Sequence, residues 1–293
     1  MSKLDDPELR ASIERAVGAR VARCARAAGG DINEAYRLEL EDGRRVFVKT
    51  NATLPPAAFQ AEAVGLAWLA EAEAVSVPRV IAVADEPPGY LVLQAIEVGP
   101  KTPAAEERLG HELAALHRSG APSFGLAAAS WLATLPQDNS PEADWPTFYR
   151  ARRLTPLLER AAARGLVGRT LRARFDRLFD RLPSLVGPDE PPSRLHGDLW
   201  GGNWLADSAG VPYVIDPAVY GGHREIDLGM MRLFGGFGRR VFDAYEESFP
   251  LAPGAAERVS LNQLYPLLAH VVLFGAGYLG QLEDALDDSL RLA

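Results

Sequence analysis

One short segment of the sequence carries polar residues at a spacing that suits phosphoryl transfer. Residues 196–203 read HGDLWGGN, so Asp198 lies five residues before Asn203, and Asp216 ends a short apolar stretch further along the chain. Phosphoryl transfer needs a carboxylate that orients and deprotonates the attacking hydroxyl, and oxygen ligands that hold a metal ion against the phosphates. The spacing therefore predicts Asp198 as the base and Asn203 and Asp216 as ligands of Mg²⁺.

A plain turn is the alternative interpretation of these residues. Glycine and aspartate favour turns, and Asp216 followed by Pro217 can end a strand without any chemical role. Three parts at the expected spacing favour the catalytic interpretation, which stays a hypothesis until its structural context is known.

A lysine and a glutamate in the N-terminal third supply another part of the same chemistry. Lys49 ends the apolar segment VFVK, and Glu62 lies on the helix predicted to follow it. In kinases such a lysine neutralises the α and β phosphates of ATP, and a helix glutamate fixes the lysine. Each residue alone is more often a solvated charge, but together with the downstream motif they predict a nucleotide-anchoring ion pair.

The loop that would cover the phosphates is less distinctive. Residues 29–33 read GGDIN, which offers two adjacent glycines and not the pattern G-x-G-x-x-G. Backbone amides there can cradle phosphate with help from Asn33. An ordinary turn into a strand explains the same residues equally well.

Two kinds of sequence pattern surround these residues and predict two lobes. Before residue 95, turn signals and apolar–polar patterns predict an amphipathic helix that follows Asp6, a second helix at 59–69, and antiparallel strands at 36–40, 46–49, 80–83 and 90–93. From residue 103 onward the apolar spacing is mostly helical. We therefore predict an α+β, two-lobed protein kinase-like fold, with an N-terminal nucleotide-binding sheet lobe at 1–95 and a helical catalytic and substrate lobe at 96–293.

The bulk properties restrict the class of protein. At 293 residues the chain exceeds the size at which one hydrophobic core stops growing, so two lobes or domains are expected. The formal net charge of −8 argues against non-specific binding to nucleic acid or to an anionic membrane surface. The single cysteine, Cys24, excludes an internal disulfide and a thiolate metal cluster, which is typical of a reducing cytoplasm.

No targeting or membrane-spanning segment is predicted. The N-terminal segment carries charges every few residues and lacks the apolar core of a signal peptide. The longest apolar stretch, 266–282, contains His270 and Gln281 and is shorter than the ~20 residues that span a bilayer. It predicts a buried helix, and we expect a cytoplasmic protein without a membrane partner.

The chain resembles the fructosamine kinase (ketosamine 3-kinase) family in three segments, HGDLWGGNW, IDPAVYGGHREIDLGMMRLFGGF and QLYPLLAHVVLFGAGYL. This family belongs to the wider aminoglycoside and choline kinase-like fold, and the resemblance extends over nearly the whole chain. It implies an enzyme that uses ATP and Mg²⁺ to phosphorylate the 3-hydroxyl of a ketosamine, a ribulosamine, erythrulosamine or fructosamine adduct of an amine such as protein lysine. It also implies that Gln94 and Ile96 meet adenine. Asp227 is expected to brace residues 196–204, which we call the catalytic segment.

Four further residues are candidate substrate contacts. Trp200, inside the catalytic segment, offers an indole face that suits the apolar face of a sugar, although core packing explains it equally well. Tyr220, His223 and Arg224 follow the predicted metal-binding strand closely enough to contact substrate or phosphate, with a solvated or capping role as the alternative.

Two other functions stay open at this point. An aminoglycoside- or choline-type phosphotransferase would use the same scaffold, because a fold does not fix its substrate. A pseudokinase would only bind nucleotide or a partner, and the complete set of predicted catalytic residues weighs against it. The sequence does not indicate whether the acceptor is a free ketosamine or glycated lysine on a protein, nor the oligomeric state.

Overall fold

A computed structural model of the chain describes residues 4, 6–27, 33–55, 57–86, 88–128 and 130–292. Ten α-helices occur in these residues: α1 (Pro7–Val17), α2 (Ala58–Ala70), α3 (Pro103–Arg118), α4 (Trp145–Phe148), α5 (Thr155–Ala163), α6 (Arg169–Leu185), α7 (Glu225–Phe234), α8 (Arg239–Ser248), α9 (Val259–Phe274) and α10 (Leu279–Arg291). The same residues contain twelve β-strands: β1 (Val21–Arg26), β2 (Glu34–Leu40), β3 (Arg45–Asn51), β4 (Val80–Ala84), β5 (Gly89–Gln94), β6 (Val98–Gly99), β7 (Ser130–Leu132), β8 (Leu135–Gln137), β9 (Ser193–Leu195), β10 (Trp204–Asp207), β11 (Pro212–Val214) and β12 (Tyr220–Gly222).

The strands before residue 95 form one antiparallel sheet in the order β1-β2-β3-β5-β4. The turn between β2 and β3 contains Asp42 and Gly43, and Gly43 has a φ of 84° that suits glycine. Across this turn the Leu40 N–H donates to the Arg44 carbonyl at 2.9 Å. The predicted hairpins, here and between β4 and β5, are confirmed.

Strand β1 was not predicted, because its side chains do not alternate between apolar and polar. Only Val21 of its six residues is buried, and the other five, including Cys24, are exposed. The strand lies at the edge of the sheet and pairs with β2. Such pairing through backbone hydrogen bonds leaves little trace in a residue pattern.

Both faces of this sheet are covered by helices. Leu9 and Ile13 of α1 pack in a cluster on one face, and Phe59 and Leu66 of α2 pack with Leu91 in a second cluster. Strand β5 lies between β3 and β4 and has five of its six residues buried. A strand covered on both faces has a continuous apolar sequence, as β5 does.

The remaining elements form a mostly helical part with two apolar clusters. One includes residues of α3, α7 and α8, together with Trp68 and Leu69 from the end of α2, so it joins the sheet part to the helical part. The other unites α5, α6, α9 and α10. The arrangement has the predicted α+β architecture, while the lobe boundary between residues 95 and 96 stays a prediction.

Two predicted helices are interrupted. The helix expected from Phe148 to Leu158 contains a π-helical turn, Tyr149–Leu154, between α4 and α5. The apolar stretch 266–282 is not a single helix, because α9 ends before Gly275, whose φ is 87°, and a 3₁₀ turn precedes α10. Among the described residues no helix is both long and apolar enough to cross a membrane.

Helices α3 and α8 approach each other closely at Gly110. A Cβ atom added there would lie 2.3 Å from the Val241 carbonyl oxygen and 2.8 Å from the Ala244 Cβ. Both distances are well inside van der Waals contact, and the first involves backbone that cannot rotate away. The glycine is therefore required by packing, in spite of its poor helix propensity.

We expect Gly110→Ala to lower the free energy of unfolding by about 1–3 kcal/mol, because the two helices must move apart. That cost exceeds the ~1 kcal/mol that alanine gains over glycine in a helix. Gly280→Ala in α10 is the matched control, because an added Cβ there meets no atom within 4 Å. It should leave stability unchanged or raise it slightly. Urea unfolding followed by circular dichroism measures both, and equal midpoints for the two variants would contradict the packing argument.

Candidate active site

A hairpin places the two predicted metal ligands side by side. Strands β10 and β11 pair in antiparallel fashion, with Trp204 opposite Val214. Beyond that pair the Ile215 N–H donates to the Asn203 carbonyl at 3.0 Å. Asn203 and Asp216 therefore lie at the same end of the hairpin, although they are well separated in sequence.

The predicted base lies directly beside Asn203. The Asn203 Nδ2 donates to the Asp198 carbonyl at 2.8 Å and to the Asp198 Oδ2 at 3.0 Å. Because the amide nitrogen faces Asp198, the Asn203 oxygen points elsewhere. Asp198 is half-buried, and burial together with the nearby Asp216 carboxylate raises the pKa of Asp198 well above its usual value.

The turn that precedes the predicted base requires a glycine. Gly197 has a φ of 81°, and a Cβ added there would lie 2.1 Å from the Ala218 carbonyl oxygen. The neighbouring His196 is buried, and its Nδ1 accepts from the Asp198 N–H at 3.2 Å. Its proton is thus on Nε2, which donates to the Ile215 carbonyl at 2.9 Å. Burial lowers the pKa of His196 and favours this neutral form.

Asp227, in the first turn of α7, holds the same turn from the other side. Its oxygens accept from the N–H groups of His196 at 2.8 Å and Gly197 at 2.9 Å. Its Oδ2 also lies 3.2 Å from the Nε2 of His117, a buried histidine whose Nδ1 contacts the Tyr245 hydroxyl at 2.8 Å. Asp227 thus occupies the bracing position that the family resemblance implied.

Lys49 bridges the sheet part and the helical part. Its Nζ lies 2.7 Å from the Glu62 Oε1 on α2 and also donates to the Asp216 Oδ1 after β11. Burial by itself lowers the pKa of Lys49, but the carboxylates of Asp216 and Glu62 outweigh burial and raise it. The lysine therefore stays charged, and the Lys49–Glu62 ion pair is present in the structure.

Asp216 adopts a backbone conformation that is unusual for its residue type. Its φ is 57°, in the left-handed region that favours glycine, and such residues cost roughly 1–3 kcal/mol unless their surroundings hold them. The residues just after Asp216 pack closely against α2. A Cβ added at Gly65 of α2 would lie 3.3 Å from side-chain carbons of Pro217 and Val219. The absence of a side chain at Gly65 lets α2 pack on this segment and aligns Glu62 with Lys49.

The oxygen atoms of this site suit a hard divalent cation. In the part of the chain that is described, no three His, Cys, Asp or Glu side chains converge to hold a metal ion by themselves. Mg²⁺ does not need such a cage, because one or two protein oxygens, substrate phosphates and water complete its coordination. The Asn203 oxygen and the Asp216 carboxylate fit that limited role.

The other predicted nucleotide contacts lie further along the sheet. A cavity of about 530 Å³ opens beside residues 95–98 and is lined partly by Ile96. The Gln94 Oε1 accepts from the Arg79 N–H at 3.4 Å, so this side chain turns towards its own sheet. The Asn33 Oδ1 accepts from the neighbouring Asn51 at 3.2 Å. The remainder of the predicted phosphate loop, 29–32, lies outside the described residues.

Trp200 is the one candidate substrate contact that reaches the surface. Its side chain is among the exposed large apolar groups, with 43% of the residue exposed. The indole lies over Gly202, where an added Cβ would come within 2.3 Å of the ring. An exposed indole on the catalytic segment is consistent with a sugar contact and not with core packing.

The other three candidate substrate contacts are buried in the structure, and their contact with the acceptor stays a prediction. Tyr220 is inaccessible and His223 and Arg224 are nearly so. The Arg224 guanidinium donates two hydrogen bonds to Glu190, each 2.8 Å long, and one to the Phe249 carbonyl at 2.7 Å. The partners of Arg224 are distant in the chain, so no local sequence pattern indicates its burial.

Two residues at the site were missed by the sequence interpretation. The sequence analysis singled out neither Gly65 nor Lys101. Lys101 Nζ in fact donates to the Gly201 carbonyl inside the catalytic segment at 2.7 Å. A glycine facing inward on a short helix is a usable signal, but no signal in the sequence connects Lys101 to a loop about a hundred residues away.

The bracing role of Asp227 predicts a characteristic dependence of stability on pH. Burial opposes its ionisation, but hydrogen bonding and charge interaction with His117 and the hydrogen bond from the Gly197 N–H prevail and lower the pKa of Asp227. A carboxyl with a lowered pKa stabilises the fold above its unfolded value, about 4, and loses that contribution as pH falls through the folded value. The free energy of unfolding should therefore differ most between wild type and Asp227→Asn near neutral pH.

Urea unfolding at several pH values measures this difference. We expect it to shrink as the pH falls below about 4, because both proteins then carry an uncharged group at position 227. Asp176→Asn, on the exposed side of α6, is the control and should show little difference at any pH. A penalty for Asp227→Asn that is independent of pH would contradict the charge-based brace.

Comparison with known proteins identifies the same family that the sequence resembles, over nearly the whole chain. The sequence profile of the fructosamine kinase family matches residues 7–292. A "Probable ketoamine kinase" of Thermus thermophilus is 42% identical over 267 residues, which cover 89% of this chain and 92% of that protein. The chloroplastic protein-ribulosamine 3-kinase of Arabidopsis thaliana is 34% identical over 283 residues, which cover 93% and 84%.

Solved structures agree with the sequence relatives. A Thermobifida fusca protein assigned as a fructosamine-3-kinase has a TM-score of 0.90 at 42% identity, over 97% of this chain and 99% of that one. The gentamicin-bound APH(2")-IIa structure has a TM-score of 0.65 at 14% identity, over 100% and 98%, a likeness that concerns only the fold and confirms the predicted kinase-like class. With a family profile that spans nearly all of its residues, the chain belongs to the fructosamine kinase family of ATP-dependent phosphotransferases.

Proposed function

We propose that this protein transfers the γ-phosphoryl group of ATP to the 3-hydroxyl of ketosamines. The observation that carries the proposal is the convergence of Asp198, Asn203, Asp216 and Lys49 at one site in a member of this family. These four groups are the parts that phosphoryl transfer to an alcohol requires. Ketoamine and ribulosamine kinases among the relatives support the acceptor class.

In this mechanism Asp198 orients the acceptor and takes its proton. The hydroxyl oxygen attacks the γ phosphorus, the bond from that phosphorus to the bridging oxygen of ADP breaks, and the hydroxyl proton passes to the Asp198 carboxylate. The raised pKa of Asp198 makes its carboxylate a better proton acceptor than an ordinary aspartate. Asn203 donates to the same carboxylate at 3.0 Å and fixes its direction.

The nucleotide end of the site has separate residues. Lys49, held by Glu62, neutralises the α and β phosphates, and the backbone of Gln94 and Ile96 would meet adenine. The Asn203 oxygen and the Asp216 carboxylate would hold Mg²⁺, which supplies positive charge to the phosphate oxygens.

The product explains why such a reaction frees amines. A phosphate at carbon 3 lies next to the carbonyl at carbon 2, and enolisation towards carbon 1 makes that phosphate a good leaving group. Elimination releases inorganic phosphate, and hydrolysis of the remaining adduct returns the amine. The acceptor would be a small-molecule ketosamine or a glycated lysine on a protein, and the overall outcome is deglycation.

An aminoglycoside- or choline-type acceptor is not favoured. The aminoglycoside phosphotransferase noted above shares only 14% of its residues with this chain, so its acceptor does not transfer. A polycationic antibiotic also needs several convergent carboxylates, and the exposed group on the catalytic segment is instead the indole of Trp200. That face suits a single sugar.

The decisive experiment measures acceptor-dependent ADP formation with ribulosyl-lysine, fructosyl-lysine, kanamycin and choline. We expect the highest kcat/KM for a ketosamine, a requirement for Mg²⁺ that chelation abolishes, and an acceptor that gains one phosphoryl group by mass spectrometry. Warming the product should then release phosphate and free lysine. A higher kcat/KM for kanamycin, or a phosphorylated ketosamine that withstands heating, would overturn the proposal.

Replacement of the base tests the mechanism within this function. Asp198→Asn should keep the fold and ATP binding but lose about 10²–10⁴-fold in kcat, because general-base catalysis is removed. Asp176→Asn on the exposed side of α6 is the matched control and should turn over like wild type. Steady-state kinetics and a thermal unfolding scan on both variants provide the measurement. Near-normal turnover by Asp198→Asn would exclude this residue as the base.

A further inference from the structure

Lys101, like Asp227, holds the catalytic segment in place by direct contacts. The Lys101 Nζ donates to the Gly201 carbonyl at 2.7 Å, and the same ammonium lies 4.3 Å from the centre of the Trp204 indole ring. Gly201 and Trp204 lie on either side of Asn203. Lys101 thus spans the part of the segment that carries a proposed metal ligand.

Lys101 is well placed to hold this segment because its own backbone is fixed on both sides. Just before it, Gly99 of β6 pairs with Ala206 of β10. Just after it, Thr102 caps α3 by accepting from the Ala105 N–H at 3.2 Å. The lysine therefore extends from a rigid corner of the structure and not from a loose loop.

The opposite side of Gly201 is held by the loop that follows α7. The Gly201 N–H donates to the Gly235 carbonyl at 3.1 Å, and a Cβ added at Gly201 would lie 2.6 Å from the Gly236 Cα. The Trp204 Nε1 donates to the Gly236 carbonyl at 3.2 Å. With the Lys101 bond on its carbonyl, Gly201 has both of its backbone polar groups occupied.

The contacts close into a ring that returns to α3. In the loop after α7, the Gly238 N–H donates to the Glu106 Oε1 on α3 at 3.0 Å. Lys101 precedes the same helix, so α3 holds the catalytic segment directly through Lys101 and indirectly through Gly238. Lys101 is an exposed residue, and burial of part of its side chain lowers its pKa while the Glu106 charge opposes this.

We propose that Lys101 is a positioning residue for phosphoryl transfer, which acts by fixing the Gly201 carbonyl and with it the geometry of Asp198 and Asn203. The inference rests on the proposed function. Lys101 does not need to touch ATP or the acceptor for this role. Its loss should reduce kcat much more than the affinity for ATP, since the nucleotide is held by Lys49 and the connection between the lobes.

The test compares Lys101→Met, Lys101→Arg and wild type. Methionine keeps an apolar stem against Trp204 but has no hydrogen to donate, whereas arginine keeps both the donor and the cation over the ring. We expect Lys101→Met to lose about 10- to 100-fold in kcat, the effect of a small misplacement at a reacting centre, with KM for ATP nearly unchanged. Lys101→Arg should recover most of that loss.

Hydrogen exchange provides a readout that is independent of turnover. In Lys101→Met the backbone amides of residues 199–204 should exchange faster than in wild type, while the thermal midpoint stays the same. Arg232→Met is the matched control, because it also removes a cation from an aromatic ring, 4.2 Å from Phe242, but on the outer side of α7. It should change neither kcat nor exchange in 199–204.

The variants and the wild type separate failure of the positioning role from failure of the proposed function. Unchanged kcat in Lys101→Met, an equal loss in Lys101→Arg, or a loss of the folding transition itself would overturn the positioning role. A wild-type enzyme that turns over no ketosamine would instead contradict the proposed function. The two failures are therefore distinguishable in the same set of assays.

Discussion

The ammonium group of Lys49 lies between the carboxylates of Glu62 and Asp216, and the other features of the site are arranged around this contact. Burial and the nearby Asp216 charge disfavour the ionised form of Asp198 and raise its pKa. The cation offsets part of that repulsion. Because Glu62 comes from the sheet part and Asp216 from the helical part, the same contact also joins the two parts. Removing one partner of a buried ion pair typically costs about 3–5 kcal/mol, which applies here to Lys49 and Glu62.

Glycines allow the backbone to approach closely enough for this charge arrangement to form. Gly65 lets α2 rest on the segment after Asp216, and Gly197 lets the catalytic turn pass against the Ala218 carbonyl. Asp227 then accepts from the two N–H groups that this turn leaves unpaired. The proposed base is thus directed by backbone hydrogen bonds, which are more rigid than contacts between long side chains. Such support suits a reaction in which catalysis depends on positioning.

The predicted connection between the lobes is hydrogen-bonded to the strand that follows the catalytic segment. Strand β6 follows the predicted adenine-binding residues and pairs with β10, which begins at Trp204 immediately after Asn203. The Ser208 N–H adds a bond to the Glu97 carbonyl at 2.8 Å. A nucleotide bound at Ile96 and a phosphoryl group near Asn203 would therefore contact one continuous structure. This continuity gives the proposed role of Lys101 its physical basis, since the lysine projects from the same corner.

The sequence by itself determined the fold class, the hairpins of the sheet and the identity of the residues now found together at the site. It could do so because D-x-x-x-x-N spacing and strand alternation are local, and local geometry follows from neighbouring residues. Only the tertiary structure decided which of the side chains are accessible and which distant residues they contact. Arg224 is buried because Glu190 and Phe249 satisfy it from afar, Trp200 is exposed, and Lys101 reaches a loop about a hundred residues away. Burial and long-range pairing depend on how elements pack, which no short segment records.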